Sequence, residues 1–471
     1  MPAHDPSSTP VDATLPLALI EEVVAEARVR EKRRRLLPAA AVMVLVLGLC
    51  LFAGDSYGEV ARKLAGWLRP LARRQRWRVP GSSALAKARR RLGAAPFELL
   101  FTRLASPLAG PGTPGAAAFG RRLILMSVDG ALLDVPHTPA NIAAFGPPPS
   151  AGGFPQVRLL TLIGCGTRGL AGAVFGPRKT SEQELAEKLA ARGVLARGML
   201  ALADRNFAGH ATVAALTSTG AGVLIRVKAE RKLPVLEELP DGSYRSMLAD
   251  PAQARRRYAL NGKRRRRGSK LPPDTSPIPG IPVRVIDAHI TATPAGGPPR
   301  TQRFRLITTL LDPAEAPAAE LAATYAQRWE SETGYQELKT FLRGAGRVLR
   351  STTPDGIKQE TWALLCTHQL IQQTRAHAAA RRSIDPDRIS YTIPLRAVRR
   401  ELTTSRRGPA ARRATISEIL AQLLPPHRRR RSYPRMTRAS TARRRKARAT
   451  LTGTITYKIT ISGPPSSRPG P

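Results

Sequence analysis

The chain has 471 residues, with 76 Lys or Arg against 34 Asp or Glu and a formal net charge of +42. A pI near 11.6 argues against an ordinary metabolic enzyme and for a polyanionic partner, nucleic acid first and anionic membrane second. Cys50, Cys165 and Cys366 lie far apart in apolar stretches, which excludes a disulfide framework or zinc spacing and suits buried thiols of a cytoplasmic protein. Only 13 of the basic residues are lysine. GC-rich coding alone can produce such an arginine excess, so the clustering of charge carries more weight than its total.

Residues 1–16 are rich in Pro, Ser and Thr and are expected to be disordered. A helical, DNA-binding domain is expected over 17–108. Inside it, Leu36 to Gly54 is uncharged and follows the basic run Lys32 to Arg35. Alone it passes for a membrane anchor. Pro38 and Gly48 interrupt it, and it runs directly into the amphipathic SYGEVARKLAGWLRPL, so a helix at the centre of a small helical domain fits as well. GSSALAKARRRLG (Gly81 to Gly93) reads as a helix with a Ser N-cap and a Gly stop. Its Lys87, Arg89, Arg90 and Arg91 are candidate DNA contacts, the alternative being a solvated basic face.

From Arg121 the pattern becomes β-rich, and an α/β catalytic domain is expected over 118–402. LILMSVDG reads as a buried strand ending at Asp129, with Asp134 a rival acid beyond it. VRLLTLIGC and RGLAGAVFG form a hairpin. SEQELAEKLAARG is a helix whose Ser181 and Glu184 make a capping box. GMLALADRNF is a strand delivering Asp204, followed by a helix and the strand GVLIRVK. This order is that of a ribonuclease H-like core. A β-rich insertion is expected over 228–302, with a mobile basic tip at Lys263 to Arg267. C-terminal helices follow over 355–402, where a dimer surface is expected. The Arg-rich remainder, 403–471, is read as a mostly disordered tail that touches phosphates nonspecifically.

The run TYAQRWESETGYQELKT carries Tyr325, Arg328, Glu332 and Lys339. On an α-helix these fall at about 0°, 300°, 340° and 320°, a single stripe, with Glu330 and Glu337 opposite. Arg343 joins the same stripe as a candidate backbone contact. A carboxylate flanked by phosphate-gripping groups suits polynucleotide cleavage. Asp129, Asp204 and Glu332 are therefore the expected catalytic and metal-binding acids, since three carboxylates can hold two hard divalent cations.

SVDGALLDVPHTPANIAAFG, LALADRNF and the Y-x2-R-x3-E-x6-K spacing, in that order, resemble the DDE transposases of the insertion-sequence-four family. SYGEVARKLAGWL and SALAKARRRLG resemble that family's N-terminal domain, and the Leu36–Phe52 run falls where family members have a hydrophobic helix. The resemblance implies cut-and-paste DNA transposition, with Asp129, Asp204 and Glu332 as the triad. It places Tyr325, Arg328 and Lys339 on phosphates near the terminal nucleotides. Two Mg2+ ions, replaceable by Mn2+, double-stranded DNA as transposon ends and target, and a synaptic homodimer are further implications. So is a nucleoid-associated, cytoplasmic bacterial protein with no membrane partner. Ala131 and His137 depart from the usual pattern without touching the triad. Competing readings are a ribonuclease H-like nuclease, a degenerate DNA-binding relative, or a membrane-anchored basic protein.

Overall fold

The computed structural model describes residues 16–31, 35–72, 78–110, 112–114, 117–118, 122–266, 274, 276–293, 298–404, 408–425 and 456–464. Residues 1–15 of the expected disordered N-terminus, Lys32 to Arg34, Arg267 and the tail arginines 428–431 and 443–445 lie outside these. The chain divides into two compact units, residues 1–200 with 327–424, and residues 201–326 with 425–471.

The first unit opens with α1 (Leu17–Glu26), α2 (Ala39–Leu51), α3 (Tyr57–Lys63), α4 (Ala65–Leu71), α5 (Ser82–Leu92) and α6 (Ala95–Leu104). Every one of the 13 residues of α2 is buried. A helix apolar all round must be enclosed all round, and α1, α3, α4 and α5 surround it within the unit. Each fully enclosed Val, Leu or Met contributes about 1.5–3 kcal/mol. Gly48 is needed for this packing, because a Cβ there would sit 2.3 Å from Leu64 Cδ1. Glu31 accepts the Ala39 N–H at 3.1 Å at the start of α2. At its other end Arg399 donates to Leu51 O at 2.9 Å and Arg347 to Ala53 O at 2.8 Å. These charges complement the helix dipole. Among the described residues no helix is long and apolar enough to cross a membrane.

Next come β1 (Ala117–Ala118), β2 (Leu123–Asp134), α7 (Pro139–Phe145), β3 (Gln156–Gly164), β4 (Leu170–Pro177), α8 (Glu182–Ala191) and β5 (Met199–Ala203). β2, β3 and β4 form an antiparallel meander. α8 packs on β3 and β4, and Ser181 caps it by accepting the Glu184 N–H at 3.0 Å. β2 does not end at Asp129 but continues five residues to Asp134, with Asp129 opposite Thr161. Asp134 accepts from Gln156 Nε2 at 2.8 Å, a structural partnership at the strand end.

The second unit takes over within β5. It holds α9 (His210–Thr217), β6 (Gly222–Val227), β7 (Glu237–Glu238), β8 (Tyr244–Ala249), α10 (Pro251–Arg266), β9 (Gly280–Thr293), β10 (Arg300–Thr308) and α11 (Ala318–Thr324). The sheet order β6-β10-β9-β8-β7 is antiparallel throughout. The expected mobile basic tip is corrected in part, since Lys263 to Arg266 finish a 16-residue helix. Buried pairing supports this unit: Arg305 bonds Asp287 through Nε at 2.9 Å and Nη2 at 2.8 Å.

The chain returns to the first unit with α12 (Glu330–Gln336), α13 (Pro354–Ala380), α14 (Thr392–Thr404) and α15 (Pro409–Leu420). α13 packs on α2, α6 and α7 and buries 18 of its 27 residues. It is a core helix, so the expected dimer surface cannot be the buried body of α13. The tail reading also needs correction. α15 lies in it, and β11 (Thr456–Ser462) pairs with β9 in the second unit. β10 takes one edge of β9, while β8 and β11 share the other, at 280–285 and 287–293. Cys50, Cys165 and Cys366 are buried thiols outside any disulfide, as expected. Burial pushes the Cys50 thiol up to about 12.

Candidate active site

β2 carries Asp129 and α12 carries Glu332, and α12 packs directly on β2 and β3. Between the two acids stands Arg328. Its Nη1 is 3.7 Å from Asp129 Oδ2 and its Nη2 3.4 Å from Glu332 Oε1. The guanidinium also lies over the Trp329 ring, 5.2 Å from its centroid. Asp129 is held on several sides. Its Oδ1 accepts the Gly130 N–H at 2.8 Å, and the Ser331 hydroxyl lies 2.9 Å from its Oδ2. The Tyr335 hydroxyl donates to the Asp129 carbonyl and sits 2.8 Å from Thr161 Oγ1. A Cβ at Gly130 would fall 2.7 Å from Glu182 Oε1, so a larger residue there would displace the Glu182 side chain.

The segment bearing Glu332 is not the single α-helix that the angular stripe assumed. Tyr325–Trp329 is a 3-10 turn, Glu330–Gln336 is α-helical, and Glu337–Leu342 is π-helical. A 3-10 turn advances further per residue than an α-helix and a π turn less, so the stripe survives only in part. Arg328 and Glu332 stay together. Tyr325 does not face outward. In the second unit it is 6% exposed, and its hydroxyl donates to Ala203 O at 3.2 Å. It fastens the strand end preceding Asp204. Asp204 caps the following turn by accepting the Asn206 N–H at 2.8 Å.

Lys339 is half-buried, and its pKa is lowered by burial and then by the Arg343 charge, with Asp134 opposing. Arg343 is buried rather than exposed as a backbone contact would require. The opposite face behaves as its position suggested. Glu330 and Glu337 both pair with Arg168, at 3.0 and 2.8 Å. Arg168 also pairs with Asp387, which Arg375 reaches at 3.0 Å. Gln372 donates to Glu337 at 2.6 Å and contacts His368, whose imidazole burial lowers to about 4 and keeps neutral.

The helix α5 needs two corrections. Its N-cap is Gly81 without a side-chain bond, not serine. Arg89 is buried, bonding Gln359 Oε1, the Tyr57 hydroxyl and Ser351 Oγ, each at 2.6 Å. It is therefore removed from the DNA-contact candidates, while Lys87, Arg90 and Arg91 are exposed. Arg91 contributes internally too, donating to Leu37 O at 2.9 Å. Arg89 Nη2 also lies 3.5 Å from Glu360 Oε2, so Arg89→Ala is expected to cost about 3–5 kcal/mol by removing the guanidinium that Gln359, Ser351 and Glu360 share. Arg90→Ala should leave the melting temperature unchanged and weaken DNA binding. Thermal unfolding and a binding titration on both variants separate the two roles.

Among the described residues, no three Asp, Glu, His or Cys side chains form a group that could hold a metal ion. Asp129 and Glu332 supply two carboxylates of the kind hard divalent cations take. Their common guanidinium neighbour compensates the charge that a cation would otherwise balance. Sequence reasoning missed Ser331, Tyr335 and Arg168. No local periodicity marks them, because each acts across a long sequence separation.

The α/β architecture with its helical N-terminal region fits a ribonuclease H-like core. Residues 122–370, just over half of the chain, match the family model described as transposase DDE domain. Residues 9–102 match that of the insertion element 4 transposase N-terminal region. The chain belongs to the insertion element 4 family of DDE transposases, and so is an enzyme acting on DNA. It is similar to the transposase InsG for insertion sequence element IS4 of Escherichia coli (strain K12). The two are 27% identical over 431 residues, covering 89% of each chain. A cryo-EM structure of a piggyBac transposase synaptic complex with hairpin DNA aligns at TM-score 0.41 and 11% identity. That alignment covers 87% of this chain and 82% of the other.

Proposed function

We propose that Asp129 and Glu332 form the cleavage centre of a cut-and-paste transposase, with Asp204 as the third acid. Asp204 is included for its place in the DDE-domain match and its strand-end position, not for any distance. The observation that carries the reading is Arg328 poised between the two acids, 3.7 and 3.4 Å from their oxygens. Two Mg2+ ions, with Mn2+ as substitute, fit this donor set best, the carboxylates being their ligands. When bound, such ions activate the attacking oxygen and stabilise the leaving oxygen of an in-line phosphoryl transfer.

The remaining work falls to the chain itself. Ser331 and the Gly130 N–H fix the orientation of the Asp129 carboxylate, and Tyr335 fixes the backbone beneath it. Arg328 exchanges its carboxylate partners for a phosphate beside the scissile bond, where a guanidinium fork matches the oxygens. Lys339 adds a point charge further along the strand. Water, then the freed 3′-hydroxyl, are the nucleophiles of the successive steps. Lys87, Arg90 and Arg91 hold phosphates of the bound end. Two ends cut in concert need two such centres, which a homodimer supplies.

The test is a reaction of the full chain with DNA carrying the element's terminal inverted repeats, a target plasmid and Mg2+. The reading predicts cleavage at the element boundary followed by joining to the target. Nicking without joining would favour a nuclease instead.

A further inference from the structure

α10 in the second unit carries seven Arg or Lys among its 16 residues and no acid. None of its described side chains is buried, so core packing does not account for this helix. One face is nonetheless held. Arg257 Nε lies 3.1 Å from Asp274 Oδ2, and Asn261 exchanges two bonds with the Asp274 backbone, both at 3.1 Å. Ser276 steadies Asp274 in turn, its N–H and hydroxyl donating to Oδ1 at 3.0 and 2.6 Å. At the first turn Asp250 accepts the Ala252 N–H at 2.8 Å.

With Arg255 at 0° on a helical wheel, the held residues Arg257 and Asn261 fall at about 200° and 240°. Arg266, Lys263 and Arg256 fall at about 20°, 80° and 100°, on the opposite side. All four of these cations are exposed. Leu260, at about 140°, and Tyr258, at about 300°, flank the stripe. They are 59% and 69% exposed, more than any other large apolar side chain among the described residues. Solvation accounts for the charges but not for the two apolar groups beside them.

We propose that the outward stripe of α10 docks on double-stranded target DNA. Arg255, Arg256, Lys263 and Arg266 take phosphates, and Tyr258 and Leu260 lie against the groove. A helix of this length spans about 24 Å, and a major groove admits it. The side chains on offer favour the target over the element's end. Phosphate contacts position a duplex without reading it. Of the amides suited to adenine edges, Asn261 is committed to Asp274 and Gln253 falls off the stripe, at about 160°. Such a surface suits DNA met at any sequence. The proposal rests on the transposase reading only for the existence of a target.

The experiment compares the wild-type full chain with two variants. One combines Arg255→Ala, Arg256→Ala, Lys263→Ala and Arg266→Ala; the other combines Tyr258→Ser and Leu260→Ser. Affinity for an unrelated duplex is followed against salt, and repeat-end DNA with a target plasmid and Mg2+ reports cleavage and joining. The quadruple variant should lower the log–log salt slope on the unrelated duplex by about three to four. Its ratio of joining to cleavage should fall at least about tenfold. The double variant should bind the duplex about tenfold more weakly with the slope unchanged, since no charge is lost. Thermal unfolding of both should match wild type, all six side chains being exposed. An unchanged slope for the quadruple variant would overturn the proposal. Weakened binding of repeat-end DNA, with the unrelated duplex bound normally, would assign α10 to the element's end and overturn the target role. Lost binding to phosphatidylserine vesicles, with both DNAs bound normally, would assign the stripe to an anionic membrane surface instead. Affinity that falls only in step with folding would overturn it too. Absence of cleavage and joining in wild type would count against the transposase reading, while the salt slope still decides for or against α10.

Discussion

Asp129→Asn and Glu332→Gln are each expected to lower end cleavage by about 10³-fold or more, with DNA affinity preserved or slightly raised. Affinity survives because a carboxylate repels phosphate, so neutralising it removes repulsion at a strongly basic surface. The rate falls because the acids act on the developing charges of the transition state and not on ground-state binding. Folding should change little. Asp129 and Glu332 sit at partly exposed positions, with side chains 19% and 39% accessible, where such pairs contribute about 1 kcal/mol or less. Arg328→Ala should behave differently, losing both rate and affinity. Single-turnover cleavage and a binding titration, run on the three variants together, check this pattern. Unimpaired cleavage by Glu332→Gln would remove that residue from the site.

Arg168→Leu is expected to cost about 3–5 kcal/mol of folding stability. The substitution leaves three carboxylates, Glu330, Glu337 and Asp387, without the guanidinium they surround. Their side chains are 13%, 3% and 8% accessible, so solvent cannot replace it. Arg375 remains within reach of Glu337 and Asp387 and limits the damage. Arg168 itself adopts φ +55°, so Arg168→Gly relieves the backbone while removing the charge. It should lose less than the leucine variant. Urea unfolding gives the comparison through the midpoint at constant slope. Because Glu330 and Glu337 flank Glu332, the leucine variant should also lose cleavage in excess of its unfolded fraction.

The meeting of Asp129, Arg328 and Glu332 was legible in part because its signals are local: Asp129 lies in an apolar strand run, and Arg328 and Glu332 stand one helical turn apart. The failures have identifiable causes. Arg89 was counted with its basic neighbours, although it follows Leu85 by four residues and precedes Leu92 by three. That spacing puts it on the buried face, and attention to period would have shown it. β11 was hidden by Arg-rich flanks, yet TYKITIS has the β-branched and aromatic content of a strand. The inward turn of Tyr325 and the π turn at Glu337–Leu342 arise from packing, which single-sequence periodicity does not encode. Arg168 depends on a hairpin turn meeting a helix more than 160 residues away, so no window of sequence reveals it. For α2, uniform apolarity told that the helix is enclosed but not that α13, over 300 residues on, helps enclose it.

The most direct test of the acid centre is a metal swap on Glu332→Cys. A thiolate is a poor ligand for Mg2+ and a good one for softer ions. The folded variant should be inactive on repeat-end DNA with Mg2+ and regain cleavage, at least about tenfold, when Mn2+ or Cd2+ is supplied. Cleavage with Mg2+ at the wild-type rate would show that Glu332 ligates no catalytic cation, contradicting the assignment of this site.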